Sequence, residues 1–208
     1  MKPMVLTLDR KALDNIGHLT NIHPLDWSKL TTDKFHFLNR GVVDSKEGYE
    51  DILIGQRFAQ ILPYIVVKNP ETNEILTYSR NGAETRLHGS RSIGIGGHID
   101  IDDVKFNEEG FDPLKTIELS MLREIKEEAG ISELDVEALG GIQKIIDRVI
   151  IDFSNEVGSV HLGFLGVIET ADINPEEELF DHRWVSIDEL KETIDEYESW
   201  SRMIINLF

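Results

Sequence analysis

The chain has 208 residues, with 39 acidic against 21 basic side chains, a formal net charge of −18 and no cysteine. That length suits one well-cored domain or a domain with an extension. No stretch approaches the ~18 consecutive apolar residues of a membrane span, and the lack of cysteine removes disulfides, thiolate zinc sites and cysteine nucleophiles. Such a negative charge repels nucleic acid and anionic membranes, so phosphate chemistry here requires recruited cations. Residues 1–10 carry charge where a secretory signal keeps its apolar stretch, which makes the cytoplasm the expected location.

In chain order, residues 1–55 show turn and polar signals (Asn15, Gly17, His23, Pro24, Asn39, Gly41) around short apolar pieces such as Phe35 to Leu38. They are expected to form a partly helical extension packed on a main body of residues 56–208. From Ile61 to Val67 the residues are β-branched and aromatic, a turn follows at Asn69 to Asn73, and Glu74 to Ser79 resumes a strand, so a hairpin is predicted. Pro63 then belongs at a strand start or edge. Glycines at 94, 96 and 97 end a further strand and permit close backbone approach.

Asp112 as N-cap and Pro113 at the first helical position open a helix whose apolar stripe is Leu114, Ile117, Met121, Ile125 and Ala129, and Gly130 ends it. Strands are predicted over residues 141–153 and 157–168, with a short one around Arg183 to Val185. A capping box, Ser186 to Glu189, opens a last helix with apolar positions from Ile187 to Phe208. The fold class is α/β or α+β.

The chemistry lies on the central helix. Glu124, Glu127 and Glu128 fall within an arc of about 100°, beside the apolar stripe. Like charges so spaced destabilise a helix by ~0.2–0.5 kcal/mol per pair. A hard divalent cation, Mg²⁺ or Mn²⁺, offsets that cost because it prefers carboxylate oxygens, waters and phosphate. The alternative is a solvated acidic face on an acidic protein.

The run Arg123-Glu-Ile-Lys-Glu-Glu-Ala-Gly-Ile131, preceded by Gly96-Gly97-His-Ile-Asp100, resembles the signature of the Nudix hydrolase superfamily, glycine-x5-Glu-x7-Arg-Glu-U-x-Glu-Glu-x-Gly-U with U aliphatic. The resemblance covers roughly residues 60–200 and implies an α/β/α sandwich around a mixed sheet. It also implies divalent-metal-dependent hydrolysis of a nucleoside diphosphate linked to X, and a homodimer. Carried over, it makes Glu127 and Glu128 metal ligands, Glu124 a ligand or the base for water, Gly97 a carbonyl ligand, and Arg123 the residue that orients a glutamate.

The first half of the motif departs from the pattern. About twelve extra residues separate the glycine turn from the helix, and Lys115 stands in the register of the first motif glutamate. Asp103, Glu109 and Asp112 are the candidate substitutes. Loss of that glutamate keeps a second reading open, a catalytically impaired module that binds a nucleotide or a protein partner.

Outside the motif, Glu156 and Glu176 to Glu178 are candidates for a general base. Residues 80–98 carry Arg80, Arg86 and Arg91 against Glu84 alone, which makes Arg86 and Arg91 candidates for substrate phosphate and His98 a candidate contact beside the glycines. The branch signatures of isopentenyl diphosphate isomerases, NADH-cleaving enzymes, ADP-ribose hydrolases and dinucleoside polyphosphate hydrolases are missing, and no basic groove suits nucleic acid.

Overall fold

A computed structural model describes residues 3–13, 20–43, 57–80, 89–131, 139–175 and 179–208. Arg86, Glu176, Glu177 and Glu178 lie outside the described residues, as does the boundary expected between 55 and 56. In chain order the elements are β1 (Met4–Asp9), β2 (Asn21–Pro24), β3 (Phe35–Asn39), a turn of helix α1 (Arg40–Val43), β4 (Phe58–Lys68) and β5 (Ile75–Ser79). Then come β6 (Arg91–Ser92), β7 (Gly94–Ile95), β8 (Phe106–Asn107), β9 (Gly110–Phe111) and the long helix α2 (Pro113–Ala129). The C-terminal part holds α3 (Ile142–Ile145), β10 (Ile146–Ile151), α4 (Glu156–Val160), β11 (His161–Glu169), β12 (Arg183–Val185), α5 (Ile187–Glu192) and α6 (Ser199–Ile205).

The main sheet runs β12-β5-β4-β11-β10-β2, with β4 and β11 parallel and the other neighbours antiparallel. Both faces of β4 are covered, which explains its near-continuous apolar sequence. Ile61, Ile65 and Val67 join one core with Ile117, Met121, Ile125 and Ala129 of α2. Tyr64 and Val66 face the other, with Trp200, Ile204 and Ile205 of α6. The result is a helix, a mixed sheet and a second helical layer, the sandwich expected from the motif. Among the described residues no helix is long and apolar enough to cross a membrane.

The N-terminal segment holds short helical turns at Arg10–Leu13, Trp27–Lys29 and Thr32–Lys34, and it also supplies strands to the same sheet. β1 pairs with β3 and with residues 58–60 of β4, and β2 pairs with β10. Leu6, Leu8, Leu13, Leu30 and Phe35 belong to the core that also holds α2. β1 also holds the segment after the glycine turn, through Leu6 N–H to Ile99 O at 2.8 Å and a bridge between Val5 and Asp100.

Pro63 lies inside β4 rather than at its start. Its carbonyl is turned toward Gly96, where an added Cβ would sit 1.7 Å away, so the missing N–H faces the glycine segment and not the parallel partner β11. Residues 141–153 begin with a helical turn, since Gly141 at φ 83° accepts from Lys144 N and Ile145 N. The expected strand from 157 likewise begins with α4, capped by Asn155, whose side chain accepts from Gly158 N at 2.8 Å. The last helix is interrupted: Thr193 Oγ1 turns back onto Glu189 O at 2.7 Å, and α6 starts afresh under the side-chain cap of Glu198.

Candidate active site

Helix α2 begins and ends as its sequence dictates. Asp112 accepts from Lys115 N at 2.9 Å, Pro113 follows, and Gly130 closes the helix at φ 63°, a left-handed conformation that favours glycine. Packing of its stripe against β4 turns Glu124 toward the glycine segment. The fit is close: a Cβ added to Gly97 would lie 2.5 Å from Glu124 Oε1. Only glycine lets the backbone rest against that carboxylate.

Arg123 ties the parts together. Its Nε and Nη2 grip Asp103 in a two-bond fork at 3.0 and 2.9 Å, Nη2 also donates to His98 O at 3.3 Å, and Nη1 lies 2.8 Å from Glu124 Oε1 and 3.0 Å from Glu127 Oε2. A planar guanidinium suits such bidentate pairing. Asp103 is positioned by its own turn, in which it accepts from Asp100 N at 3.0 Å. It is therefore the candidate that meets Arg123.

The other two substitutes for the motif glutamate are engaged elsewhere. Asp112 serves as the helix cap and accepts from Asn107 Nδ2 at 3.1 Å. Glu109 is exposed in the turn of the β8–β9 hairpin. Lys115, in the old register, is paired along the helix with Glu118 at 2.5 Å. The extra residues thus fold as a short turn and a hairpin, and Asp103 meets the arginine from the near end of the insertion.

Burial pushes the Glu124 carboxyl above the ordinary glutamate range, against the pull of Arg123. Glu127 by contrast is 53% exposed. Burial and the neighbouring Asp103 also raise Asp100, opposed by Arg123 and Arg40. Among the described residues no three His, Asp or Glu side chains form a ready-made metal cluster. Arg123 Nη1 stands where Glu124 and Glu127 converge, while Glu128 lines a cleft with Gly97. The donor chemistry nevertheless fits a hard divalent cation: three carboxylates on one helix, one of them buried at a cost that a cation offsets, and no thiolate in the chain.

That cleft has a volume of about 260 Å³. Its floor is Leu62 to Tyr64 of β4, and its walls include the glycine turn, the start of α4 and the start of α6. His98 is in the wall, with Nε2 3.3 Å from Nε2 of His161. Because His161 Nδ1 lies 2.7 Å from Val157 O, which can only accept, Nδ1 of a neutral His161 carries the proton and its Nε2 accepts from His98. Glu198, in the opposite layer, accepts from Tyr64 Oη at 2.5 Å, from Ser201 Oγ, and from Trp200 and Ser201 N–H, so capping and burial occupy it. Glu156 is exposed on the first turn of α4, beside the cleft residues Asn155 and Val157.

Arg91 is placed differently from the sequence expectation. It is bound to Asp181 Oδ2 at 2.6 Å and O at 2.9 Å, and to Thr77 and Ser79, away from the cleft wall. Two other arginines line the cleft, Arg80 of the basic stretch and Arg40 of the N-terminal segment. Arg40 carried no sequence signal, since it stands in a turn far from every motif.

The NUDIX domain family matches residues 64–208. Protein YmaB of Bacillus subtilis (strain 168) is 31% identical over 161 residues, covering 73% of this chain and 71% of its own. The fold is shared with the crystal structure of Tm1382, provisionally a Nudix hydrolase, at a TM-score of 0.72 and 20% identity over 99% of this chain and 100% of that one. It is shared also, at a TM-score of 0.54 and 19% identity, with a bifunctional NMN adenylyltransferase/ADP ribose pyrophosphatase of Francisella tularensis complexed with AMP and manganese, over 81% of this chain and 46% of that one. By motif and by family match, the chain belongs to the Nudix family.

Proposed function

We propose that the protein is a divalent-metal-dependent hydrolase that cleaves the diphosphate bond of a nucleoside diphosphate linked to X. The carrying observation is the contact between Glu124 and Gly97, bridged by Arg123 to His98 O and to Asp103. Glu124, Glu127, Glu128 and the Gly97 carbonyl are the groups that would hold Mg²⁺ or Mn²⁺. When bound, such a cation neutralises the diphosphate and acidifies a water.

The chain's own residues supply the rest. Arg123 fixes the Glu124 and Glu127 rotamers, Asp103 fixes Arg123, and Gly97 allows the backbone to reach the carboxylate. Burial raises the proton affinity of Glu124, which supports its taking the proton of the attacking water as well as its role as ligand. The Asp103 fork replaces the missing motif glutamate as Arg123's acceptor, which favours an active enzyme over an impaired binding module. A homodimer in the cytoplasm accompanies this reading, and light scattering that returns a monomer retires the dimer.

The test is Glu127→Gln. Its side chain is half exposed and makes a surface pair with Arg123, so thermal stability is expected to change by less than about 0.5 kcal/mol. Phosphate release from a panel of nucleoside diphosphate derivatives with Mg²⁺ or Mn²⁺ is expected to disappear. Full turnover in the variant overturns the assignment.

A further inference from the structure

Several arginines of this acidic chain are matched to carboxylates: Arg57 with Asp9, Arg91 with Asp181, Arg123 with Asp103, and Arg183 with Glu189. The two that line the cleft differ. Among the described residues the guanidinium of Arg80 makes one hydrogen bond, Nη1 to Tyr78 Oη at 2.9 Å, and its carbon lies 5.8 Å from the Tyr78 ring centre. That phenol is itself buried and committed to Gly94 O at 2.8 Å. Arg40 goes further: its guanidinium donates to no acceptor among the described residues, and its Nε is buried without a partner. Neither has a carboxylate within ion-pair distance among the described residues.

Both side chains are half-buried. A guanidinium partly withdrawn from water with no carboxylate at ion-pair distance is unfavourable, and a buried N–H without an acceptor, as at Arg40 Nε, costs on the order of 1–3 kcal/mol. In a chain with 39 acidic residues the arrangement is unlike a solvated charged surface. Both arginines line the cleft that Gly97 and Glu128 also line. Planar forks of this type match phosphate oxygens two at a time.

We propose that Arg40 and Arg80 form an anion clamp in the cleft, taking the phosphate oxygens of a diphosphate ligand that the carboxylate face does not hold. Arg40 precedes the NUDIX match at residues 64–208, so the N-terminal segment completes the site within one chain. The clamp deepens the hydrolase reading by naming the group it holds, and it rests on that reading for the identity of the ligand as substrate.

The test is titration calorimetry of the full chain with inorganic pyrophosphate in EDTA, which reads binding without metal or turnover. Wild type is expected to bind, and Arg40→Ala and Arg80→Ala are each expected to weaken binding at least tenfold. Arg40→Lys and Arg80→Lys should recover part of the loss, because lysine keeps the charge and loses the fork. Arg148→Ala, which removes an equal charge from an exposed site on β10, should bind as wild type. Melting curves identify any variant that does not fold; if Arg80→Ala is one, Arg40→Gln and Arg80→Lys carry the test.

Absence of pyrophosphate binding by wild type overturns the clamp, as does equal binding by the folded Arg40 and Arg80 variants. Arginine-dependent binding without metal-dependent turnover of any substrate leaves the clamp and removes the hydrolase reading. Turnover that depends on Glu127, with KM and pyrophosphate binding indifferent to Arg40 and Arg80, does the reverse.

Discussion

Arg123 sits at the centre of the candidate site because one planar group satisfies four carboxylate oxygens that come from two separate stretches of chain, the turn at Asp103 and helix α2. Two belong to Asp103, one to Glu124 and one to Glu127, and the same group reaches the carbonyl of His98. Removing the fork's main acceptor therefore loosens the glutamates without emptying the core. Asp103→Asn keeps the size and one oxygen acceptor but loses the charge, and loss of such a supporting partner typically costs 10–100-fold. A fall of that size in kcat, with an unchanged melting temperature, is the expected result in steady-state assays. Lys115→Glu, which restores the motif's letter, is expected to gain nothing, since Lys115 is turned along the helix to Glu118; a rise in kcat would show that the site uses the old register after all.

At the scale of elements, β1 joins the glycine segment to the rest of the sheet, and its last residue is an electrostatic fastening. Asp9 is buried at the β1–β4 junction, where Lys11 N donates at 3.0 Å and Arg57 Nε at 2.9 Å. Burial raises its pKa, but the backbone hydrogen bond and Arg57 outweigh that, and the carboxyl is held below the ordinary aspartate value of 3.8. A lowered folded-state pKa means that the stabilisation is present above the unfolded value and is lost as pH falls through the folded one. Asp9→Asn is thus expected to lower stability at pH 7 by on the order of 1–2 kcal/mol and to flatten the acid limb of the urea midpoint below about pH 4. A variant as stable as wild type at pH 7, with the same acid limb, contradicts the fastening.

Much of this scale is readable from sequence, and the exceptions have causes. Helix α2 is legible from cap to cap because Asp112, Pro113 and Gly130 act locally on their own backbone, and the hairpin from β4 to β5 is legible because its turn residues do the same. The helical turns α3 and α4 are not, since β-branched and apolar residues that favour strands are overruled by a glycine at positive φ and by an asparagine cap. The Glu–Glu–Arg constellation follows from helical spacing alone. Asp103 was one of three candidates, and only the path of the inserted hairpin selects it. Arg40 is invisible to pattern reading because the sheet, and no local rule, brings it to the cleft.

For the whole molecule, these facts make residues 3–43 part of the same folding unit as the family motif. β4 is laddered on one side by β11 along its length and on the other by β1 at residues 58–60 and β7 at residues 65 and 66, so removing β1 exposes a strand edge beside the site. It also exposes the partners of Val5, Leu6, Leu8, Phe35 and Val43, all 5% exposed or less. Burial of each such side chain contributes roughly 1.5–3 kcal/mol, and the set together rivals the ~5–15 kcal/mol by which a domain is stable. A chain beginning at Arg57 is therefore expected to aggregate or to show no cooperative melting transition, although it retains the NUDIX match and every motif carboxylate. Co-expression with a peptide spanning residues 1–43 should restore solubility if the strands pair as described. A soluble, cooperatively folding truncation would instead establish the N-terminal segment as an accessory, and its Arg40 as a recruit to a site that stands without it.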